Sequence, residues 1–245
     1  MNSGTSSRLD GAGKAAALAS SGEHTWVIVP AFNEGSRILR VLDELTTVVA
    51  NVVVVDDGST DDTGLNVLSR SVWLVTHPVN LGQGAAIQTG IDFALARGAA
   101  YIVTFDADGQ HRVQDIAVLL SSLESTGADF ALGSRFLGST KGMPVSRRLL
   151  LKLAVVFTWV MSGVKLTDAH NGLRAMTGRG AASLQIRHNR MEHASEIIDQ
   201  IKHSGLTYTE VPVQIRYNAD TLAKGQRMSD AIRLALRILL RRVVR

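Results

Sequence analysis

Apolar residues recur along this chain in two rhythms that take turns. Short runs rich in β-branched residues at 25–29, 52–55, 72–76, 101–105 and 129–132 predict strands. Between the first two, Ile38, Val41, Leu42, Leu45 and Val49 return at helical spacing, and 84–97 and 113–125 behave in the same way. Strand and helix in alternation predict an α/β domain whose mostly parallel sheet is covered on both faces. After Gly133 the alternation lapses into an apolar helix around 147–161, a polar stretch at 168–174, a helix near 191–203 and a strand at 207–213.

In parallel sheets ligands bind beyond the carboxyl ends of the strands. The unusual residues of this chain gather there, at 30–34, 56–60, 80–84 and 106–110, so four polar clusters are expected on one rim. The last is the most telling, because an apolar strand runs into Asp106-Ala-Asp108-Gly-Gln110. An extended chain repeats every second residue, which puts Asp106 and Asp108 on the same side. Carboxylates held together there suit a hard divalent cation such as Mg²⁺ or Mn²⁺, which shares its shell with substrate phosphates. A solvated Asp-rich turn is the alternative.

Asp56-Asp57-Gly-Ser-Thr-Asp also follows a strand, but neither Asp-rich segment has the glycine spacing of a calcium loop. Its carboxylates can accept hydrogen bonds from a base or a ribose, while Ser59 to Asp62 can cap the next helix. Asn80-Leu-Gly-Gln-Gly84 at a helix start offers free backbone N–H groups and close approach to a phosphate, without the full dinucleotide or P-loop signature. His188, His193 and His203 make no metal-protease motif and read as surface or packing residues.

Composition narrows the field. The 245 residues include no cysteine, which excludes disulfides, thiol catalysis and Cys-ligated zinc. Residues 1–22, rich in Ser, Gly and Ala, read as a disordered leader without the apolar core of a secretory signal, and 23–226 as the main domain. Residues 149–164 approach a membrane span but are interrupted by Lys152 and Ser162-Gly163. The net charge of +4 is uneven, with six Arg against one Asp from 227 to 245. There Arg233, Arg237, Arg241 and Arg245 form a basic stripe beside apolar positions, predicting an amphipathic C-terminal helix for an anionic membrane surface. Nucleic acid is not the expected partner, since this segment has no aromatic to stack on bases.

Taken in order, Val27-Ile-Val-Pro30-Ala-Phe32-Asn-Glu34, Val-Asp56-Asp57-Gly-Ser-Thr-Asp, Asn80-Leu-Gly-Gln-Gly84-Ala-Ala, Phe105-Asp106-Ala-Asp108-Gly-Gln110-His and Gly133-Ser-Arg135 resemble family 2 glycosyltransferases of the GT-A fold. Within that family the chain is most similar to dolichyl- and polyprenyl-phosphate sugar synthases, over roughly residues 25–226. The resemblance implies that Pro30, Phe32, Glu34, Asp56 and Asp57 hold the nucleotide, with Asn80 and Gly84 on the same donor. It implies that Asp106, Asp108 and Gln110 bind the metal, with Asp108 catalytic. Arg135 and Arg148 are the implied acceptor-phosphate residues, Arg135 also catalytic, although Lys152 stands where those enzymes often carry Ser. Asp168-Ala-His-Asn-Gly-Leu-Arg174 is similar to their Asp-x-x-Ser/Thr-Gly-x-Arg segment. Arg216 and Lys224 resemble a closing donor-site pair, at a spacing two residues longer.

The activity implied is inverting transfer of a sugar from a UDP- or GDP-linked donor to a polyprenyl phosphate at the cytoplasmic face of the membrane. A carbohydrate-hydroxyl acceptor in surface-polysaccharide assembly is the same-fold alternative, and would need a base such as Asp168, Glu192 or Glu196. A nucleotidyltransferase, or a non-catalytic sugar-nucleotide-binding subunit supporting a membrane-protein partner, are alternatives of other classes.

Overall fold

The computed structural model describes residues 24–169, 171–189 and 192–217. Seven strands, β1 (Thr25–Ala31), β2 (Asn51–Asp56), β3 (Trp73–Thr76), β4 (Tyr101–Thr104), β5 (Phe130–Lys141), β6 (Arg174–Thr177) and β7 (Tyr208–Arg216), form one sheet. Their order across it is β3-β2-β1-β4-β6-β5-β7. β1 runs parallel to β2 and β4, β2 to β3, and β5 to β7, while β6 alone is antiparallel to its neighbours. The helices are α1 (Gly35–Leu45), α2 (Thr63–Leu68), α3 (Gln83–Leu95), α4 (Gln114–Thr126), α5 (Val145–Ser162), α6 (Gly178–Ser183) and α7 (His193–His203).

Period-two alternation explains the continuous apolar runs. Val27, Val29 and Ala31 enter one core with Val52, Val54 and the Ile38–Val41–Leu42–Leu45 face of α1. Trp26 and Ile28 enter the other with Val53, Val55, Ile87 and Ile91. Both faces of β1 and β2 are therefore covered, and their register sets Ala31 beside Asp56. Phe105 N donates to the Ile28 carbonyl at 2.9 Å, so the chain leaves β1, β2 and β4 at one edge.

The second half differs from expectation. β5 continues past the predicted end at Leu132 to Lys141, with an irregularity between Ser134 and Ser139 where it pairs with β7. The stretch expected to be merely polar delivers β6 at Arg174. Four residues inserted antiparallel between two longer strands are too few to show alternation. The leader 1–22, Lys224 and the predicted helix at 227–245 lie outside the described residues. No described helix is long and apolar enough to cross a membrane.

Candidate active site

The loop after β1 is tied to the loop after β2. Asn33 takes a left-handed conformation (φ 54°), donates its N–H to Ser59 Oγ at 2.9 Å and accepts from Thr60 N at 2.9 Å. Asp61 sits before the N-cap of α2 and bridges both loops, accepting from Gly35 N and Thr63 N, each at 3.0 Å. Pro30 is buried in β1, while Phe32 beyond it is 43% exposed, presenting a ring at the rim. Glu34 accepts from Arg37 at 2.8 Å. Asp56 is buried and accepts from Ser59 N at 3.0 Å.

Asp57 is committed to the protein itself. Its carboxylate accepts from Leu81 N at 2.9 Å and Gly82 N at 2.7 Å, and meets His77 Nδ1 at 2.7 Å. The far ring nitrogen of His77 meets Thr89 Oγ1 on α3 at 3.0 Å. This buried network fixes the loop before α3, where Gly82 needs its φ of 107°.

Gly84 corrects an expectation. Its N–H is not free but donates to the Asn189 carbonyl at 2.8 Å, and an added Cβ would stand 2.2 Å from the His188 carbonyl oxygen. The close approach that this glycine permits is made by the 188–189 backbone. Gly84→Ala should therefore destabilise the fold by about 1–3 kcal/mol, measurable as a lowered midpoint of chemical denaturation.

Asp106 and Asp108 lie past the end of β4 in a turn whose Gly109 has φ 74°. Asp106 accepts from Gln83 Nε2 at 2.9 Å and pairs with His111 Nε2 at 3.1 Å. Gly172 packs directly on this carboxylate, since a Cβ there would meet Asp106 Oδ2 at 2.1 Å. Thr104 Oγ1 donates to the Gly172 carbonyl at 2.6 Å and pins that contact. Asp108 accepts from Gln110 N at 2.9 Å.

The two carboxylates are electrostatically unlike. Burial works to raise the Asp106 carboxyl, but the His111 hydrogen bond and the fields of His111, Arg174 and His193 outweigh it and hold it below its ordinary value. Burial and then the charge of Asp106 push Asp108 up, with Glu34 adding in the same direction. A cation between them would remove that conflict. The donor set fits a hard ion, being carboxylate oxygens with Gln110 next along the same turn. No cluster of three or more His, Cys, Asp or Glu that could hold a metal occurs among the described residues. The remaining ligands would have to come from substrate, as diphosphate-bound Mg²⁺ and Mn²⁺ commonly arrange.

Arg135 and Asp168 form a second charged centre, both buried. Arg135 donates from Nε to Asp168 Oδ2 at 2.6 Å and from its backbone N–H at 3.0 Å, and its guanidinium reaches Tyr217 OH at 2.8 Å. Burial alone would lower the guanidinium, but Asp168 and Tyr217 more than compensate and raise it. Arg174, buried at the start of β6 opposite Thr104, is lowered by burial against the attraction of Asp106 and Asp168. It thus links the two acidic centres through its field. Arg148 is exposed on the first turn of α5, in a different setting from Arg135. Arg216, also exposed, lies where β7 meets the turn after β4, its N–H donating to the Gln110 carbonyl at 3.0 Å.

Of the carboxylates considered as bases, Asp168 serves Arg135, and Glu196 holds the backbone N–H groups of Arg187 and His188 at 3.1 and 2.8 Å. His193 is buried, as a packing residue would be, and His203 bonds the Asp199 carbonyl at 2.6 Å. Sequence reasoning missed Gln83, His77, His111 and Tyr217. The histidine directly after Gln110 was the available signal for His111. Gln83, between the two glycines of its loop, carried none.

Comparison with known proteins identifies the family and the fold. Residues 26–181 match the family described as Glycosyl transferase family 2. The chain is 30% identical to a UDP-N-acetylglucosamine–dolichyl-phosphate N-acetylglucosaminyltransferase of Methanococcus voltae, over 88% of this chain and 94% of that one. It is 33% identical to a polyprenol monophosphomannose synthase of Mycolicibacterium smegmatis, over 69% and 67%. In fold it resembles glucosyl-3-phosphoglycerate synthase of Mycobacterium tuberculosis, solved with Mn²⁺ and UDP-glucose, at TM-score 0.70 and 19% identity, covering 91% of this chain and 80% of that one. A parallel sheet with one antiparallel strand, a carboxylate pair beyond β4 and a family match over most of the domain converge on one assignment: the chain belongs to glycosyl transferase family 2 and is a glycosyltransferase.

Proposed function

We propose that this glycosyltransferase moves a sugar from a nucleotide diphosphate donor to a polyprenyl phosphate, with inversion, at the cytoplasmic surface of a membrane. The carrying observation is the Asp106–Asp108 pair, in which burial and like charge raise Asp108 beside a carboxylate already satisfied by Gln83 and His111. When bound there, Mg²⁺ or Mn²⁺ would neutralise the charge that develops on the departing diphosphate. Asp106, Asp108 and Gln110 would hold it there. Phe32, Glu34 and Asp56 are assigned to the nucleotide side, and Asp57 acts indirectly, by fixing the loop before α3. A relative named for UDP-N-acetylglucosamine supports a UDP-linked donor, with a GDP-linked one as the alternative.

A phosphate acceptor is supported by how the carboxylates are engaged. A hydroxyl must lose a proton to attack, and of the three candidate bases two, Asp168 and Glu196, are already tied to Arg135 and to backbone. A phosphate oxygen is already anionic and attacks the anomeric carbon directly as the bond to the diphosphate breaks. Two relatives named for dolichyl-phosphate and polyprenol substrates support the same reading. Arg148, exposed on the first turn of α5, is the cation we assign to such a phosphate, and Arg135, held by Asp168 and Tyr217, is the second, buried one.

Arg148→Ala tests the acceptor assignment. A lost charge-assisted contact costs about 1.5–3 kcal/mol, so the acceptor KM should rise roughly ten- to a hundredfold. The donor KM should stay within about twofold. A defect confined to the donor KM would move Arg148 to the donor side and remove the main support for a lipid phosphate.

A further inference from the structure

We propose that Arg174 and the side-chain amide of Asn171 form a buried phosphate subsite between the Asp106 carboxylate and the Arg135–Asp168 pair; the proposal deepens the sugar-transfer reading and rests on it. Both residues lie in the interior, Arg174 3% and Asn171 2% exposed. Among the described residues the Arg174 guanidinium makes neither a hydrogen bond nor an ion pair, and only the longer-range attraction of Asp106 and Asp168 acts on it. Asn171 Nδ2 is likewise without a partner, while its Oδ1 accepts from Leu173 N at 3.0 Å. Buried polar groups are nearly always bonded, and an arginine with its donors unused is costly to bury. Two such residues in one short segment point to an acceptor supplied from outside the chain.

The backbone holds these donors at the centre of the site. Arg174 opens β6, where it stands between Thr104 of β4 and Leu132 of β5. Thr104 lies two residues before Asp106 and Leu132 three before Arg135, so Arg174 sits between the strand ends that deliver the two charged centres. Directly paired residues share a face, which sets Arg174 with Leu132 on the side of the sheet that α3 covers through Ile87 and Ile91. Asn171 precedes Gly172, which packs on Asp106 and is pinned there by Thr104 Oγ1 at 2.6 Å. Chemistry selects the ligand. With Asn171 Oδ1 engaged, the guanidinium and the amide only donate. A phosphate at neutral pH offers acceptor oxygens and matches a planar guanidinium bidentately. The neighbouring carboxylates do not bar it, since Asp168 is paired with Arg135, and Asp106 is bonded to Gln83 and His111 and would share the proposed cation. Sugar transfer brings two such groups, the departing diphosphate of the donor and the attacking phosphate of the lipid.

The test is Arg174→Met in the full chain, read in two arms: calorimetric affinity for UDP with Mn²⁺, and the KM for a short-chain polyprenyl phosphate at saturating donor. At least one should weaken about tenfold or more. The thermal midpoint should not fall, because the substitution removes a buried charge that has no bonded partner. Arg174→Lys, which keeps the charge and loses the fork, should recover part of the loss. Asn171→Asp keeps the Leu173 bond and turns the amide donor into an acceptor, so it should weaken the same arm and serves where Arg174→Met fails to fold. A loss confined to UDP assigns the subsite to the departing diphosphate, a loss confined to the lipid phosphate assigns it to the attacking one, and a loss in both places it where the two meet. Both arms within about twofold of the parent in both variants overturn the proposal and leave bound water as the partner of these donors. A midpoint lowered by more than about 5 °C in Arg174→Met, with unchanged affinities in Asn171→Asp, also overturns it and makes Arg174 a structural residue. If the parent glycosylates no polyprenyl phosphate, the acceptor reading fails by itself, and the UDP arm alone decides the subsite.

Discussion

Asp108→Asn is expected to lower turnover by roughly two to three orders of magnitude while the protein melts where its parent does. Stabilisation of developing charge by a bound cation supplies several kcal/mol, and each 1.36 kcal/mol is tenfold in rate. An amide supplies a neutral oxygen in place of an anionic one, so most of that stabilisation goes. Stability should not follow, because an amide oxygen can still accept from Gln110 N, now at 2.9 Å. The substitution also removes a charge that burial and Asp106 both oppose. Turnover at parental levels in a folded variant would contradict the ligand role. A fall in melting temperature as large as the fall in rate would turn Asp108 into a structural residue.

The largest expected loss of stability comes from Asp168→Ala. Arg135 is buried, bonded to Asp168 through Nε at 2.6 Å and through its backbone N–H at 3.0 Å. Removing the carboxylate leaves this guanidinium in the interior with Tyr217 OH, and takes away one of the two anionic fields acting on buried Arg174. Stranding one partner of a buried pair costs about 3–5 kcal/mol. For a chain of this length each kcal/mol moves the midpoint by roughly 2–4 °C, so a drop of about 6–20 °C should appear in a thermal melt. Asp168→Asn, which keeps an acceptor for the backbone N–H, should fall between. A midpoint within about 2 °C of the parent would show that Arg135 finds another partner.

These two aspartates also show what the sequence could and could not convey. Asp108 was legible because it follows an apolar strand at a spacing with direct chemical meaning, and the runs at β1, β2 and β4 were legible because both their faces are buried. The use made of Asp168 was not, since its partner Arg135 lies 33 residues away on β5. The same holds for Gln83, which reaches Asp106 across 23 residues, and for Asp57, whose carboxylate closes a loop 24 and 25 residues on. Periodicity reports which faces are covered, not which polar atoms meet. Gly84 and Gly172 make the point from the other side. Gly84 reads as a phosphate-loop glycine and Gly172 as part of a family-like segment, yet each is required because a carbonyl oxygen or a carboxylate occupies the space of a Cβ. β6 escaped because four residues between longer neighbours carry too little alternation to be seen.

The central claim is metal-dependent transfer of a sugar onto a lipid phosphate, and the mass of the product tests it most directly. The full chain, a panel of UDP- and GDP-sugars, Mn²⁺ and a short-chain polyprenyl phosphate should yield a lipid phosphate heavier by one sugar residue, with one nucleoside diphosphate released for each. Chelating the metal should abolish both products. Release of pyrophosphate, or full product formation with the metal chelated, would contradict the account.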